Sequence, residues 1–404
     1  MNGKWTAVLL VLATTLAVAA YPLPEVESSG TQLDVNDEPS DRDRVGLPPA
    51  APVIDAVFVL DTTGSMGSLI QTAKEKIWSI ASTMAAADPS PQLRIGLVAY
   101  RDRGDAYVVN TVDLSGDLDS VYAQLMQFEA AGGGDGPESV NAALQTAVDQ
   151  MSWADAGQAY RVIFLVGDAP PHMDYQGESQ YPEIVAKARQ RGIVVNAIQC
   201  GQQQATTVPW QAIARLGGGR YFQVDQAGGA ISMTSPYDQE LAELSAQLDK
   251  TRLYYGSREE RARMAEKEAA SEAIAVSAPM AARAQRGLFN LTTSGKASML
   301  GQQELVDAVA SGSVELDELE SEELPATLRE LPAEEREAHV SALAVERTRI
   351  ESAMQELADK REHWVREALE DRDDTADSLE QKLYEAVAEQ AETAGLDYAE
   401  GPAY

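Results

Sequence analysis

The residues best able to do chemistry stand where two apolar runs end. The first run, VIDAVFVLD over 53–61, passes into Asp61-Thr62-Thr63-Gly64-Ser65-Met66-Gly67. A carboxylate at Asp61 with hydroxyls at Thr63 and Ser65, on a turn leaving a strand, brings three hard oxygens to one point. That donor set suits Mg²⁺ with some of its waters retained. The same hydroxyls also fit the ordinary task of capping the next helix. The second run, YRVIFLVGD over 160–168, places Asp168 at the carboxyl end of another buried strand. In open parallel sheets ligands bind just outside those ends, where the connecting helices change sides. Two acids there argue for a cation. One cysteine and three histidines exclude a multi-cysteine zinc or iron–sulfur centre and leave little for histidine-held metals. A metal must therefore be held by oxygen; Mg²⁺ is the first expectation, Ca²⁺ and Mn²⁺ the alternatives.

From Val53 onward, apolar runs alternate with amphipathic stretches. Strands are expected at 53–61, 93–100, 107–114, 160–168, 193–201 and 220–225. Helices are expected at 69–84, 117–128, 138–151, 181–191 and 208–216, with a closing helix near 238–254. This succession predicts an α/β fold, a doubly wound sheet with both faces covered. The domain is set at 53–256 and expected to fold without the C-terminal remainder of the chain.

Beyond Gly256 the composition turns to Glu, Arg, Ala and Leu, which predicts an α-helical C-terminal region over 257–404. Within it, 257–285 reads as helix, 286–332 as short helices joined by polar loops, and 333–370 as one long helix. Leu343, Ile350, Leu357 and Trp364 recur every seven residues there, with Val340 and Met354 on the companion seam. Arg347 and Arg361 interrupt that seam, which argues against a tight two-stranded zipper. The expectation is a helical hairpin over 333–395, the long helix covered by residues 375–394, in a monomer. A solvated acidic tail is the alternative.

Residues 1–20, with Lys4, an apolar run and small residues at Ala17, Ala19 and Ala20, read as a cleaved secretory signal, the alternative being an uncleaved anchor. Residues 21–52, rich in proline and acid, read as a flexible linker. The expected location is periplasmic or extracellular, with no membrane span in the mature chain. A net charge of -32 over 404 residues and a pI near 4.4 argue against a nucleic-acid partner.

The Asp-x-Thr-x-Ser turn after a buried strand, together with the later strand-end Asp168, resembles a von Willebrand factor type A domain and its metal-ion-dependent adhesion site. The resemblance covers about residues 53–255. It implies a six-stranded, mostly parallel sheet in the order 3-2-1-4-5-6, with an antiparallel edge pair formed by 93–100 and 107–114. Adhesive members supply a threonine from the loop before the 138–151 helix. Here that loop is Gly132-Gly133-Gly134-Asp135-Gly136-Pro137-Glu138. With Ala99-Tyr100-Arg101-Asp102 and Gly167-Asp168-Ala169-Pro170-Pro171-His172, it is similar to a subgroup that includes hemicentin-like domains and the A domain attached to alpha-kinases. By position Asp135 stands where the threonine would be. Glu138 is read as a first-turn residue of the next helix, where the dipole favours a carboxylate. A third acid would neutralise Mg²⁺ more fully and lower its Lewis acidity toward a partner's carboxylate.

The other motifs carry less. Ser294-Gly295-Lys296 departs from a phosphate loop at Asn290 and Ala297. Arg103-Gly104-Asp105 matches an integrin-recognition tripeptide, Asn290-Leu291-Thr292 a glycosylation sequon, and Cys200 reads as a buried apolar filler. His172, after two prolines, is placed at the rim of the cation site. No serine–histidine–acid set, Walker loop or kinase signature is present, so no enzyme activity is expected. The reading is a metal-dependent module that captures a protein or peptide ligand; the alternative is a structural envelope protein with a stabilising ion.

Overall fold

The computed structural model describes residues 51–404 apart from 135, 156, 158, 227, 228, 232, 371–377, 400 and 403. The expected signal, the linker up to residue 50 and Asp135 lie outside the described residues. Among the described residues, no helix is long and apolar enough to cross a membrane.

Six strands form one sheet: β1 (Val53–Asp61), β2 (Gln92–Tyr100), β3 (Val109–Ser115), β4 (Ala159–Gly167), β5 (Ile193–Cys200) and β6 (Gly218–Val224). Their order is β3-β2-β1-β4-β5-β6. Only the β2–β3 pair is antiparallel, as the resemblance implied. The central strands are buried on both faces, which is why each reads as an unbroken apolar run rather than an alternation. On one face, Val57, Val59, Ile163 and Val195 pack beneath α3 (Val140–Asp149), α4 (Tyr181–Gln190) and α5 (Gln204–Leu216). On the other, Phe58, Phe164 and Ile198 pack beneath α1 (Gly67–Ala85) and α2 (Leu118–Leu125). Phe58 and Phe164 stack at 5.3 Å between ring centres.

The C-terminal region departs from expectation. Helix α6 (Asp238–Asp249), expected to close the sheet, instead places Leu241, Leu244 and Leu248 in a separate core. That core is completed by α8 (Met280–Leu291), α9 (Thr293–Leu300) and the long α12 (Ala333–Glu370). The place over β4 and β5, beside α1, is taken by α13 (Leu379–Ala391). Its Leu383, Ala386, Val387 and Ala391 enter the core of the sheet. Gln390 of α13 exchanges two amide hydrogen bonds with Asn196 of β5 and accepts a third from the Tyr160 hydroxyl of β4 at 2.8 Å. Glu380 pairs with the buried Lys76 of α1 at 2.8 Å. The hairpin expected over 333–395 is therefore corrected: of the stripe of α12, Ile350, Met354 and Leu357 are covered by α6 and α8, Val340 and Leu343 by the segment 305–328, and Trp364 by Ile231 and Met233, while residues 379–391 cover the sheet.

Between these, α7 (Arg258–Ser277) starts at a capping box, Ser257 with Glu260, and packs on α2. Two short helices, α10 (Leu305–Ala310) and α11 (Ala326–Arg329), lead into α12. The expected boundary at 256 does not separate two bodies, since Ala50–Tyr404 forms one compact unit. Phe289 of α8 packs on Trp78 of α1. Arg347 and Arg361, which interrupt the seam of α12, are buried in it and paired with Glu304 and Asp238 at 2.9 Å each.

Candidate functional site

Asp61, Tyr100 and Gly167 are the last residues of β1, β2 and β4, three neighbouring strands. Asp61 lies opposite Tyr100 in the parallel register. The chain leaves β1 through Thr62, whose amide and hydroxyl both donate to the Tyr100 carbonyl, at 2.9 and 2.8 Å. That anchor fixes the turn and points Thr63 back at Asp61. Asp61 Oδ1 accepts from the Thr63 amide at 2.9 Å and the Thr63 hydroxyl at 2.7 Å. The Ser65 hydroxyl, exposed, stands 3.4 Å from that of Thr63. Neither hydroxyl caps the next helix, which removes the capping alternative.

The second carboxylate oxygen of Asp61 is buried and accepts no hydrogen bond of normal geometry. Burial pushes this carboxyl up to about 7; the Thr63 hydrogen bonds and the nearby Asp168 amide oppose the rise, and the Asp168 charge adds to it. Only a glycine fits at 167, where the backbone passes close beside this carboxylate and the Tyr100 hydroxyl. A Cβ there would stand 2.9 Å from Asp61 Cβ and 3.0 Å from Asp61 Oδ2. Asp168, half-buried, accepts from Gln226 Nε2 at 2.6 Å, and its carbonyl accepts from the Thr206 hydroxyl of α5.

Glu138 corrects the sequence reading. It precedes Ser139, the N-cap of α3, and forms a bridge with Pro171 rather than a first helical turn. Its amide donates to the Pro170 carbonyl, and its own carbonyl accepts from the His172 amide. The residue is 3% exposed, and its Oε1 and the Thr63 Cβ each stand 3.1 Å from where a Cβ on Gly133 would be. The carboxylate thus turns into the site. Tyr100, absent from the expected set, is also there. Burial, then the charges of Asp61, Glu138 and Asp168, push its phenol well above the usual value. The structure brings Asp61, Thr63, Ser65 and Asp168 to the edge of the sheet formed by its strand ends.

A second layer holds the loops. Asp102 accepts from the Ser139 and Tyr175 hydroxyls, each at 2.9 Å. His172 stacks on Tyr175 at 4.0 Å and meets Asp174 through Nδ1 at 2.8 Å, so it ties the loop after β4 together rather than lining an open rim. Arg103 lies over Tyr175 and pairs with Glu178. Asp105 accepts from the amides of Asp102 and Gly133. The Arg103-Gly104-Asp105 tripeptide is therefore used internally to join two loops. Gly295 is explained by packing too, since a Cβ there would stand 1.7 Å from the Phe289 carbonyl oxygen. Cys200 is buried, and burial pushes its thiol up.

Among the described residues, no three His, Cys, Asp or Glu side chains converge as a metal cage. A cation here would draw on carboxylates together with the Thr63 and Ser65 hydroxyls and on water, a hard donor set. The unpaired Asp61 oxygen fits that demand.

A family model described as the von Willebrand factor A domain matches residues 55–233. This segment is a von Willebrand factor A domain. Over 108 residues the chain is 38% identical to the human "von Willebrand factor A domain-containing protein 7", covering 27% of this chain and 12% of that protein. Over 124 residues it is 27% identical to the Dictyostelium discoideum "Alpha-protein kinase vwkA", covering 30% of this chain and 19% of that one. The chain thus spans about a tenth to a fifth of the length of these relatives. Among solved structures, the SpRpn10 VWA domain covers 44% of this chain and 89% of its own at 11% identity, with a TM-score of 0.33. A von Willebrand factor type A protein from Catenulispora acidiphila covers 43% and 39% at 14% identity, with a TM-score of 0.32. The A domain matched here includes the Asp61 turn, Glu138 and Asp168.

Proposed function

We propose that the A domain is a protein-interaction module that holds a divalent cation, Mg²⁺ first, at Asp61, Thr63, Ser65 and Asp168, and that captures a protein or peptide ligand there. The observation that supports this best is the Asp61 carboxylate, buried with one oxygen unpaired beside two hydroxyls and a second acid. Asp135 and the buried Glu138 belong to the acids around the cation in this reading. They leave it less able to attract a partner's carboxylate than a site with a threonine in that loop. The leader-like residues 1–20 support export to the periplasm or beyond, and the reading assigns the protein no catalytic step.

Calorimetric titration of the full chain with Mg²⁺ tests the site. One site is expected in the parent and none in Asp61→Ala; equal binding by both defeats the assignment. Capture of a partner that is abolished by chelator supports adhesion.

A second reading is an ion that only stabilises the fold. It is favoured by the depth of the first donors, Asp61 being 0% and Thr63 2% exposed, which leaves Ser65 and Asp168 to face a ligand. Chelator that lowers the melting temperature and leaves capture unchanged would favour it.

A further inference from the structure

We propose that Gln226 is a positioning residue of the cation site: its carboxamide holds the Asp168 carboxylate in one orientation, and so favours a cation that demands strict geometry. This deepens the cation reading above and rests on it. Asp168 follows the last residue of β4, and its carbonyl is fixed by the Thr206 hydroxyl at 2.8 Å. The residue is only half-buried, so backbone anchoring alone leaves its carboxylate free to rotate. Gln226, two residues beyond β6, removes that freedom: its Nε2 donates to Asp168 Oδ2 at 2.6 Å and reaches Met66 Sδ at 4.0 Å.

The glutamine is held in turn. A Cβ on Gly201 would stand 2.3 Å from Gln226 Oε1, so a side chain there would displace the amide. Gly201 follows the end of β5 with a φ of 73°, donates its amide to the Val224 carbonyl at 2.9 Å and accepts from Gln223 Nε2 at 2.8 Å. Gln226 thus ties the ends of β5 and β6 to the loop after β4 and to the turn after β1. Which way its amide faces is set by its partner: an ionised carboxylate only accepts, so the NH₂ group points at Asp168 and Oε1 points away. With Oε1 at Gly201, Gln226 donates to a cation ligand and is not one itself. An amide also brings no charge, so it orients Asp168 without neutralising it as a lysine would. Mg²⁺ demands near-ideal octahedral geometry, whereas Ca²⁺ accepts a flexible shell. A carboxylate held in place beforehand therefore serves Mg²⁺ more than Ca²⁺.

Gln226→Met in the full chain, titrated calorimetrically with Mg²⁺ and separately with Ca²⁺, tests this. Methionine keeps the length of the side chain and loses the donor. The expected result is a loss of Mg²⁺ affinity of about fivefold, the scale of ordering one side chain on binding, with a smaller loss for Ca²⁺. In chelator the variant should melt with the parent, because Gln226 is exposed and fills no core position. Gln226→Lys, which keeps a donor and adds a charge that pairs with Asp168, should lose more Mg²⁺ affinity than Gln226→Met. Unchanged Mg²⁺ affinity in Gln226→Met overturns the proposal, as does an equal loss for both ions or an earlier melt in chelator, which would mark a structural role. Equal Mg²⁺ affinity in Gln226→Lys and Gln226→Met overturns it too, since position 226 would then not reach Asp168. A parent that binds neither ion removes the cation reading, and this inference with it.

Discussion

Two carboxylates of the A domain are buried alike and treated in opposite ways. Asp61 is 0% and Asp119 is 3% exposed. Asp61 has no cationic side chain paired with it among the described residues, and burial drives its carboxyl up. Asp119 receives Arg286 on both oxygens at 2.6 Å, the Ser271 hydroxyl at 2.6 Å and Lys267 at 4.0 Å. Burial opposes its ionisation too, yet Arg286 and Lys267 outweigh burial and hold it well below the usual carboxylate range. What burial does to an acid depends on whether a positive charge accompanies it. The companions also differ in origin. Arg286, Ser271 and Lys267 come from the helices beyond residue 257, whereas the neighbours of Asp61 belong to the A domain itself.

The largest effect should come from taking these partners of Asp119 away at once. A chain ending at Gly256 loses Lys267, Ser271 and Arg286, and also Phe289 and α13 from the sheet. It is expected to give a product without a cooperative thermal transition, against the independence that the composition break suggests. A cooperative melt by calorimetry would show that these helices are dispensable.

Next in size is Arg286→Met, which leaves Asp119 and Asp249 without their shared guanidinium. Breaking a buried pair from one side costs about 3–5 kcal/mol, and urea unfolding at neutral pH should show a loss of that order. A loss below about 1 kcal/mol, the scale of an exposed pair, would mean that Lys267 alone suffices.

The smallest effect has the opposite sign. In chelator, Asp61→Asn should stabilise the protein at about pH 8 by about 1–3 kcal/mol, by removing a buried charge that has no cation. The folded value of about 7 lies above the ordinary 3.8, so folding is penalised above pH 7 and the penalty fades as the pH falls toward 3.8. The advantage of the variant should fade with it. Asp119 runs the other way: its stabilisation is complete above the unfolded value and is lost as the pH falls through the lower folded value. With saturating Mg²⁺ the parent should overtake Asp61→Asn. A variant that is less stable than the parent in chelator at every pH would show that Asp61 is already satisfied.

Much of this contrast could be read from the residues alone. The central strands are visible because burial on both faces makes them continuous apolar runs, and Asp61 and Asp168 are conspicuous as the acids that end two of them. Glu138 is not visible in this way, because its side chain is turned inward by a bridge to Pro171, far along the chain. Tyr100 reads as one more apolar strand residue, and only the missing side chain at Gly167 reveals what its hydroxyl faces. In the C-terminal region periodicity marks which face of a helix is covered and does not name the cover. The stripes of α12 and α13 match each other as well as they match their true partners. Arg347 and Arg361 look like defects in a seam because their acids, Glu304 and Asp238, lie 43 and 123 positions away.

The seat of α13 has a consequence for the order of events in synthesis. The bonds that close the sheet join Lys76 to Glu380, Asn196 to Gln390 and the Tyr398 hydroxyl to the Met84 carbonyl across 314 positions. Until residue 398 has been made, α1 and the middle of the sheet have an uncovered apolar flank. Contacts this distant in sequence form slowly, and open sheet faces invite association with other chains while they wait. Completion of the A domain's core thus waits on residues 379–398.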